Sequence, residues 1–344
     1  MVSRGGLAWL EAERLGKLPW LVQAFSTRRG GVSPPPCAGL NLGFTASDTR
    51  ERVEENRRRF LTQLGAEDFV LAPLRQIHSS HSWVVDRDRA GRVVLHPPGV
   101  VAEAPAGDPR QSEIGNRKSK IPRAEPPATD SLQSEIGNHK SKTPKGEPLA
   151  GDGLITAEPG ILLTIRTADC LPVLLVDPRQ QAVAAVHAGW RGALAGVIEK
   201  AVGDMRRALG SDPGRLIAAL GPSIRVCCYE VGAEVVDAFH GRFARAERFF
   251  QPLRAGAATE RVSIPFLSPY PPGHAPEHSP AARLDLTAVA RDQLARAGLK
   301  AAHVLVADYC TACRTDLFFS HRREGSGTGR QMAAVGIRRT GNRE

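Results

Sequence analysis

Long apolar runs are missing from the sequence, which excludes a membrane-spanning protein. A transmembrane helix needs about 20 consecutive, mainly apolar residues. The most apolar stretch, Ile161 to Val176, is interrupted by Arg166 and Asp169. The N-terminal segment also lacks the continuous apolar core and the small-residue cleavage site of a secretory signal. We therefore expect a cytoplasmic protein with no membrane partner.

Cysteines are also few, and their arrangement argues against a disulfide framework. The chain of 344 residues has six cysteines, a low density compared with small secreted domains. Four of them form an adjacent pair, Cys227 and Cys228, and a CxxC, Cys310 and Cys313. We interpret these cysteines as reduced thiols or metal ligands.

Aromatic residues make up only 5% of the chain, and its formal net charge is +10. The arginines that carry most of this charge are scattered, whereas a nucleic-acid interface gathers basic residues on one face with aromatic residues between them. We therefore expect no nucleic-acid partner. A small anionic ligand such as phosphate would suit these arginines, and so would simple solubility. The sequence makes no prediction of the oligomeric state.

Hydrophobic residues make up 42% of the chain, enough for a full core. We predict one compact domain over residues 1–344 with two peripheral insertions. The segment from Pro97 to Pro148 is rich in Pro, Lys, Arg and Glu, and it contains QSEIGNRKSK and, later, the near-copy QSEIGNHKSK. This composition predicts a disordered inserted loop. A second Pro-rich loop is predicted from Phe266 to Pro280.

The rest of the chain alternates between short β-rich runs and amphipathic helices, which predicts a mixed α+β fold. Two helices are predicted, Trp190 to Leu209 and Leu284 to Ala297, because their apolar residues fall on one helical face. The predicted strands are Ile161 to Arg166, Pro172 to Asp177, Ala182 to His187, Arg215 to Leu220, His303 to Ala307 and Met332 to Ile337.

A predicted β-hairpin brings together two metal-ligand residue types. In LPVLLVDPRQQAVAAVH, two strand-like runs flank a turn-forming stretch. If Pro178 and Arg179 form the tip, then Cys170 lies opposite His187, with Cβ atoms about 5 Å apart. Two ligands of one zinc ion can have this separation.

A catalytic zinc site usually has three protein ligands and one exchangeable position, so a third ligand is needed. The candidate is His78 in RQIHSSHSWVVD, and His81, three residues on, is its local competitor. An ordinary structural histidine is the alternative for each of them. For Cys170 the alternative is a small buried hydrophobic residue.

After His187 the chain reads AGWRG and enters the predicted helix. Arg191 therefore falls in the first helical turn, where unpaired backbone N–H groups favour an oxyanion or a phosphate. The alternative is that Gly189 merely allows a tight turn from strand to helix.

The sequence resembles the laccase-domain family, whose members were first called multicopper polyphenol oxidases and are now described as purine nucleoside phosphorylases with adenosine deaminase activity. Eight motifs, which span most of the chain outside the Pro-rich loops, carry this resemblance. They are FSTRRGG at Phe25, LNLGF at Leu40, QIH at Gln76, GDGLIT at Gly151, TADCLPVLLVD ending at Asp177, AAVHAGWRG at Ala184, LGPSIRVCCYEVG at Leu220 and DYCTACRTDLFFSHRREGSGTGRQMA at Asp308.

The resemblance implies a mixed-sheet α/β/β/α sandwich with a zinc site at His78, Cys170 and His187. Its implied substrates are adenosine, inosine and methylthioadenosine, which phosphate cleaves to the free base and a sugar 1-phosphate. Hydrolytic deamination of adenosine is implied as a second activity. For the anion we favour Arg191 and, by motif, Arg28, with Asp169 as a candidate proton carrier.

Three other functions fit parts of the sequence. A copper oxidase is disfavoured because multicopper centres usually use His-x-His pairs, and none occurs among the ten histidines. A thiol hydrolase acting on a cell-wall peptide precursor would use Cys170 as nucleophile and His187 as base. A structural zinc protein would use Cys310 and Cys313, although the chain has a single CxxC. Metal content distinguishes these functions.

Overall fold

The computed structural model describes residues 1–99, 148–253 and 280–339. The predicted insertion from Pro97 to Pro148 and the predicted loop from Phe266 to Pro280 lie outside these residues, apart from positions 97–99, 148 and 280.

The described residues include sixteen β-strands. In chain order they are β1 (Val2–Arg4), β2 (Leu7–Leu10), β3 (Leu21–Ser26), β4 (Val70–Leu71), β5 (Ser82–Arg87), β6 (Val93–His96), β7 (Gly153–Thr156), β8 (Ile161–Thr167), β9 (Leu171–Asp177), β10 (Ala182–Ala188), β11 (Ile217–Leu220), β12 (Glu230–Gly232), β13 (Phe250–Gln251), β14 (Pro280–Leu284), β15 (Val304–Val306) and β16 (Gln331–Ile337).

Helices separate several of these strands. The α-helices are α1 (Glu13–Gly16), α2 (Arg50–Leu64), α3 (Trp190–Leu194), α4 (Val197–Leu209), α5 (Ala233–Arg242), α6 (Leu286–Arg296) and α7 (His321–Glu324), and short 3-10 turns lie at Ala246–Phe249 and Ala301–His303. None of the helices in the described ranges is both long and apolar enough to cross a bilayer.

The described strands form two large sheets and a small one. The first large sheet has the order β1-β2-β3-β16-β8-β4, the second has the order β15-β11-β9-β10-β7-β5-β6, and the small sheet has the order β12-β14-β13. Most neighbouring strands are antiparallel, but β4 with β8, β5 with β7 and β11 with β15 are parallel. Both large sheets are therefore mixed.

The two large sheets pack face to face, and helices cover both outer faces. Along β9 the side chains of Leu174 and Val176 belong to the core between the sheets, whereas Val173 and Leu175 belong to the core shared with α4 and α6. On the opposite side, Phe60 of α2 packs in the core outside the first sheet. The predicted α/β/β/α sandwich is confirmed, and burial on both faces explains why β9 and β10 are apolar apart from Asp177 and His187.

The predicted hairpin is present as β9 and β10, but its predicted register is wrong by two residues. Asp177 pairs with Ala182, and His187 pairs with Pro172 instead of Cys170. The connection has four residues because the Asp177 carboxylate accepts the N–H groups of Arg179 and Gln180, and Gln181 then adopts a left-handed φ of 48°. A longer turn moves every cross-strand pair.

The predicted helix from Trp190 to Leu209 is two helices, α3 and α4. Gly196 separates them with a φ of 79°, a left-handed conformation that glycine adopts without steric strain. The apolar face of α4 is as predicted, since Ile198, Val202 and Met205 are all buried. The predicted helix from Leu284 to Ala297 corresponds to α6.

Candidate metal centre and its cavity

His78, Cys170 and His187 converge in the folded chain. One donor atom from each side chain lies within 4.8 Å of the others. The distance between the Cys170 sulfur and Nε2 of His78 is 3.8 Å, and the centroids of the two imidazole rings are 4.8 Å apart. His187 is buried, Cys170 is half-buried and His78 is exposed. The three donors thus face one another with one side open to solvent.

The hairpin and a turn just before it place Cys170 and His187. Cys170 directly precedes β9, and His187 lies one residue before the end of β10. Asp169 has a φ of 91°, so the chain bends sharply before β9. This bend brings the Cys170 sulfur near His187, although the two residues are not a cross-strand pair.

The loop between β4 and β5 carries His78, and the buried Asp152 holds that loop. The backbone N–H groups of Ile77, His78 and Ser79 donate to the Asp152 carboxylate, as does the Ser79 hydroxyl. His78 has a left-handed φ of 58°, which these hydrogen bonds stabilise. His81, the alternative ligand in the sequence, is exposed and lies outside the converging group.

Asp152 also orients His187. Its Oδ1 lies 2.7 Å from Nδ1 of His187. An ionised carboxylate only accepts, so Nδ1 carries the proton and Nε2 is left as the donor atom for a metal. Burial raises the pKa of Asp152, but the hydrogen bonds from His187 and Ser79 outweigh it and hold this pKa at about 2.

Sequence reasoning did not single out Asp152. The residue lies in the GDGLIT motif, directly before the buried strand β7. A carboxylate directly before a buried strand, in a chain with candidate histidine ligands, is the signal that would have found it, because histidine ligands usually donate their second N–H to such a group.

Without a metal, Cys170 and His187 form an ion pair. Burial raises the pKa of the Cys170 thiol, but the charge of His187 and the hydrogen bonds from both imidazoles lower it to about 6. Burial lowers the pKa of His187, and the Cys170 thiolate with the Asp152 carboxylate raises it to about 9. The thiolate is the form of cysteine that binds metals.

Gly189 lies against the converging side chains. A Cβ atom at this position would lie 2.8 Å from Cδ2 of His78 and 3.0 Å from the Cys170 sulfur. Its φ of −74° is open to any residue. A glycine is therefore needed here because a larger residue would press on His78 and Cys170. The turn from strand to helix, which was the alternative reason given by the sequence, does not require it.

A cavity of about 530 Å³ opens over the three side chains, a size typical of small-molecule sites. The aromatic and apolar part of its wall includes Phe44, Ile224 and Tyr229. Its cationic part consists of Arg75, Arg166, Arg322 and Arg330. Burial and the charge of Arg330 lower the pKa of the Arg166 guanidinium, so two positive charges face the same space.

Two arginines favoured from the sequence do not line this cavity. The guanidinium of Arg28 donates to the carbonyls of Ala38 and Thr315 and to Glu324. Arg191 stacks over Trp190, with its Cζ 4.3 Å from the ring centroid, in a helix of only five residues. Neither position favours the phosphate-binding role.

Asp169 lines the cavity, but both of its carboxylate oxygens are engaged. Oδ1 accepts the Thr311 hydroxyl at 2.6 Å and Oδ2 accepts the Arg322 N–H at 2.7 Å. The second of these bonds fixes the segment that carries Arg322. The geometry suits a positioning role for Asp169 better than a proton carrier.

Two histidines and a cysteine match the donor number and chemistry of a catalytic zinc site, which leaves a position open to substrate. Blue-copper centres use the same donor types. Multicopper oxidases add a histidine-rich cluster, and residues 1–99, 148–253 and 280–339 contain no second group of converging histidines.

The sequence profile of the family described as "Multi-copper polyphenol oxidoreductase laccase" matches residues 22–112 and 128–338. The chain belongs to this family. The resemblance drawn from the motifs is thereby confirmed.

Curated relatives cover nearly the whole chain. "Purine nucleoside phosphorylase YlmD" of Geobacillus stearothermophilus is 30% identical over 333 residues, 96% of this chain and 94% of the relative. "Purine nucleoside phosphorylase" of Deinococcus radiodurans is 32% identical over 339 residues, 97% and 94% of the two chains. "Adenosine deaminase RL5", from an unknown prokaryotic organism, is 28% identical over 315 residues, 91% and 93% of the two chains.

Solved structures agree with this assignment. The crystal structure of the Bacillus licheniformis hypothetical protein YfiH superposes with a TM-score of 0.69 at 25% identity, covering 97% of this chain and 98% of the other. YlmD from Geobacillus stearothermophilus superposes with a TM-score of 0.66 at 27% identity, covering 98% of both chains.

Proposed function

We propose that the protein is a zinc-dependent purine nucleoside phosphorylase that also deaminates adenosine. One observation carries the proposal: the three converging metal donors and several arginines line the same cavity. Relatives along the whole chain are named for one or the other of these activities. The cytoplasmic location expected from the sequence stays a prediction.

We assign zinc to His78, Cys170 and His187. The donor set supports this assignment, as does the Asp152 carboxylate that holds the correct nitrogen of His187 toward the site. A zinc ion bound there supplies a Lewis acid beside the substrate. Copper could bind the same donors. A multicopper oxidase would also need a second, histidine-rich copper cluster, and the described ranges contain none.

The arginines of the cavity are the proposed phosphate seat. Arg166 and Arg330 face each other closely enough for the charge of one to lower the pKa of the other. An oxyanion between them would relieve this repulsion and accept charge-assisted hydrogen bonds from both. These two residues replace Arg28 and Arg191 as the proposed anion ligands.

Phosphorolysis requires a bound phosphate oxygen to attack C1′ of the ribose as the bond from C1′ to the purine N9 breaks. The electron pair of that bond leaves with the base, which takes up a proton. Arginines that fix the phosphate beside the sugar supply the alignment on which this displacement depends. The products are the free base and ribose 1-phosphate. In the second reaction, water adds at C6 of adenosine and ammonia leaves.

Tyr229 is the proposed contact to the base. Burial, and then the charge of Cys170, raise the pKa of its phenol. It therefore remains protonated at neutral pH and offers a hydrogen-bond donor inside the cavity. Adenosine, inosine and methylthioadenosine, the substrates implied by the family, all present acceptor nitrogens on the purine.

A thiol hydrolase is the second candidate, and one observation favours it. Without metal, Cys170, His187 and Asp152 form a chain in which a thiolate faces an imidazolium that a buried carboxylate orients. Cysteine hydrolases use the same order of groups. In that chemistry His78 would only hydrogen-bond the Cys170 thiolate, whereas a zinc site needs it as the third ligand.

The experiment is product analysis with zinc-loaded protein and adenosine, with and without phosphate. We expect adenine and ribose 1-phosphate only when phosphate is present, and inosine in both cases. The variant Cys170→Ala should lose one zinc ion per chain and both activities, whereas the control Cys37→Ser should keep them. Full activity in a Cys170→Ala protein that lacks this zinc would refute the proposal.

A further inference from the structure

Four of the six cysteines meet at a second place in the fold. Cys227, Cys228, Cys310 and Cys313 have sulfur atoms that all lie within 4.8 Å of one another. The distance from the Cys313 sulfur is 3.6 Å to that of Cys227 and 3.3 Å to that of Cys228. The adjacent pair and the CxxC, separate in the sequence, thus form one cluster.

The spacing of these sulfurs matches a tetrahedral metal site. Zinc binds thiolate sulfur at about 2.3 Å, so the edges of a tetrahedral zinc–sulfur site measure about 3.8 Å. The observed separations lie close to this value, and small side-chain rotations would equalise them. Four thiolates also close the coordination sphere, as in structural zinc sites, whereas the site at His78 keeps one side open.

The surroundings of the cluster suit a negatively charged metal–thiolate group. The backbone N–H of Arg225 donates to the Cys310 sulfur at 3.4 Å. The Arg323 guanidinium lies 3.9 Å from the Cys228 sulfur. A zinc ion with four thiolates carries a net charge of about −2, and such donors stabilise its sulfurs.

The two segments that carry the cysteines are already joined without a metal. Ser223 and Cys310 form a β-bridge, and the Thr311 N–H donates to the Ser223 carbonyl at 3.0 Å. The ligands are therefore held near their binding positions, which lowers the ordering that metal binding must impose.

We propose that these four cysteines bind a second, structural zinc ion that braces one wall of the cavity. Ile224 and Tyr229, which flank the cysteine pair, line the cavity. Thr311, within the CxxC, donates its hydroxyl to Asp169, the residue before Cys170. The inference stands on the cysteine cluster alone and does not depend on the reaction.

Zinc content of five proteins tests the proposal. Each protein is purified with a thiol reductant and without added metal. We expect two zinc ions per chain in the wild type, one in Cys170→Ala, one in Cys313→Ser and none in the double variant. Cys37→Ser, with a buried cysteine outside both clusters, should keep two. Failure of the first site alone would instead leave one zinc in the wild type and none in Cys313→Ser.

Cobalt substitution identifies the ligands. In Cys170→Ala loaded with Co²⁺, the remaining ion should show the intense sulfur-to-metal absorption of a tetrahedral thiolate site. This test does not depend on whether Cys313→Ser folds, because Cys170→Ala keeps all four cysteines of the cluster. A Cys170→Ala protein without bound zinc or cobalt would overturn the proposal.

Four cysteine sulfurs this close together could form disulfides instead of binding zinc. Alkylation under denaturing conditions, followed by the mass of the intact chain, counts free thiols. We expect six modified cysteines once zinc is removed by a chelator under nitrogen. Four or fewer modified cysteines after the same chelator treatment would overturn the proposal in favour of disulfides.

Discussion

The carboxylate of Asp152 joins the two histidines of the candidate metal site. It accepts the Nδ1–H of His187 at 2.7 Å and the backbone N–H of His78 at 3.1 Å. A single buried side chain therefore sets both the orientation of one ligand and the position of the loop that carries the other. The carboxylate thus connects the His78 loop, the start of β7 and the end of β10, which are distant in the sequence.

Replacing Asp152 by Asn should weaken the metal site without removing a ligand. The side-chain NH₂ group would face backbone N–H donors, and the His187 tautomer would no longer be fixed. Mutations of such outer-shell partners lower metal affinity about 10- to 100-fold, so we expect a loss of this size in a zinc competition titration. The chain should also be less stable by about 1–3 kcal/mol.

Asp177→Asn is the matched control, because Asp177 is also a buried carboxylate that accepts two backbone N–H groups. Its turn tolerates Asn, which forms the same local hydrogen bonds. Unchanged zinc affinity in Asp152→Asn would contradict the role given to Asp152.

Gly189→Ala should disrupt the site through a single added methyl group. The new Cβ would lie 2.8 Å from the His78 ring and 3.0 Å from the Cys170 sulfur, so these two side chains must move apart. We expect reduced zinc content and turnover.

The control Gly203→Ala lies inside α4 with no atom within 4 Å of the added Cβ. That change should stabilise the protein by about 0.5–1 kcal/mol, because alanine favours a helix interior. Equal zinc content in the two variants would show that the zinc site does not need the space left by the missing side chain of Gly189.

His78→Asn and His81→Asn distinguish the two histidines that the sequence left open. Asparagine tolerates the left-handed φ of 58° at position 78, so the first change tests the ligand and not the backbone. We expect His78→Asn to lose one zinc ion per chain and His81→Asn to keep it. If His81→Asn lost the zinc ion and His78→Asn kept it, the third ligand would be His81.

In metal-free protein, alkylation of Cys170 should follow the protonation of its thiol. The pKa of this thiol is lowered to about 6, so the reactive thiolate is lost as the pH falls through 6 and is fully formed above about 7. We expect the rate, measured by peptide mass spectrometry, to level off near neutral pH and to vanish when zinc is restored. A rate that still rises between pH 8 and 9 would indicate an ordinary thiol.

Arg330→Gln should raise the KM for phosphate more than the KM for adenosine. Loss of one charge-assisted contact corresponds to about 1.5–3 kcal/mol, or roughly 10- to 100-fold. Deamination, which uses no phosphate, should change much less, so the same variant provides its own control. Arg28→Gln should leave the KM for phosphate within a few-fold of the wild type. The reverse pattern would restore Arg28 as the anion ligand.

The sequence alone predicted the parts of the fold that local patterns determine. Alternating and continuous apolar runs identified β8 to β10, and the helical periodicity identified α4 and α6. The predicted register of the hairpin was wrong because the Asp177 carboxylate organises a four-residue turn. The sequence of the turn does not distinguish it from a two-residue turn.

The residues of the candidate site divide in the same way. His78, Cys170 and His187 were found by their chemistry and by family resemblance. Asp152, Arg166 and Arg330 were missed because the roles proposed for them depend on contacts between distant segments, such as the hydrogen bonds from the His78 loop to the Asp152 carboxylate. Arg28 and Arg191 were favoured from local motifs, but neither lines the cavity in the fold.

Anomalous diffraction at the zinc absorption edge tests the central claim most directly. The account predicts a strong peak about 2.0–2.3 Å from the Cys170 sulfur and from Nε2 of His78 and His187. Crystals of the purified protein, with zinc supplied during growth, provide the measurement. An anomalous map that shows zinc at other positions but no peak among these three atoms would contradict the account.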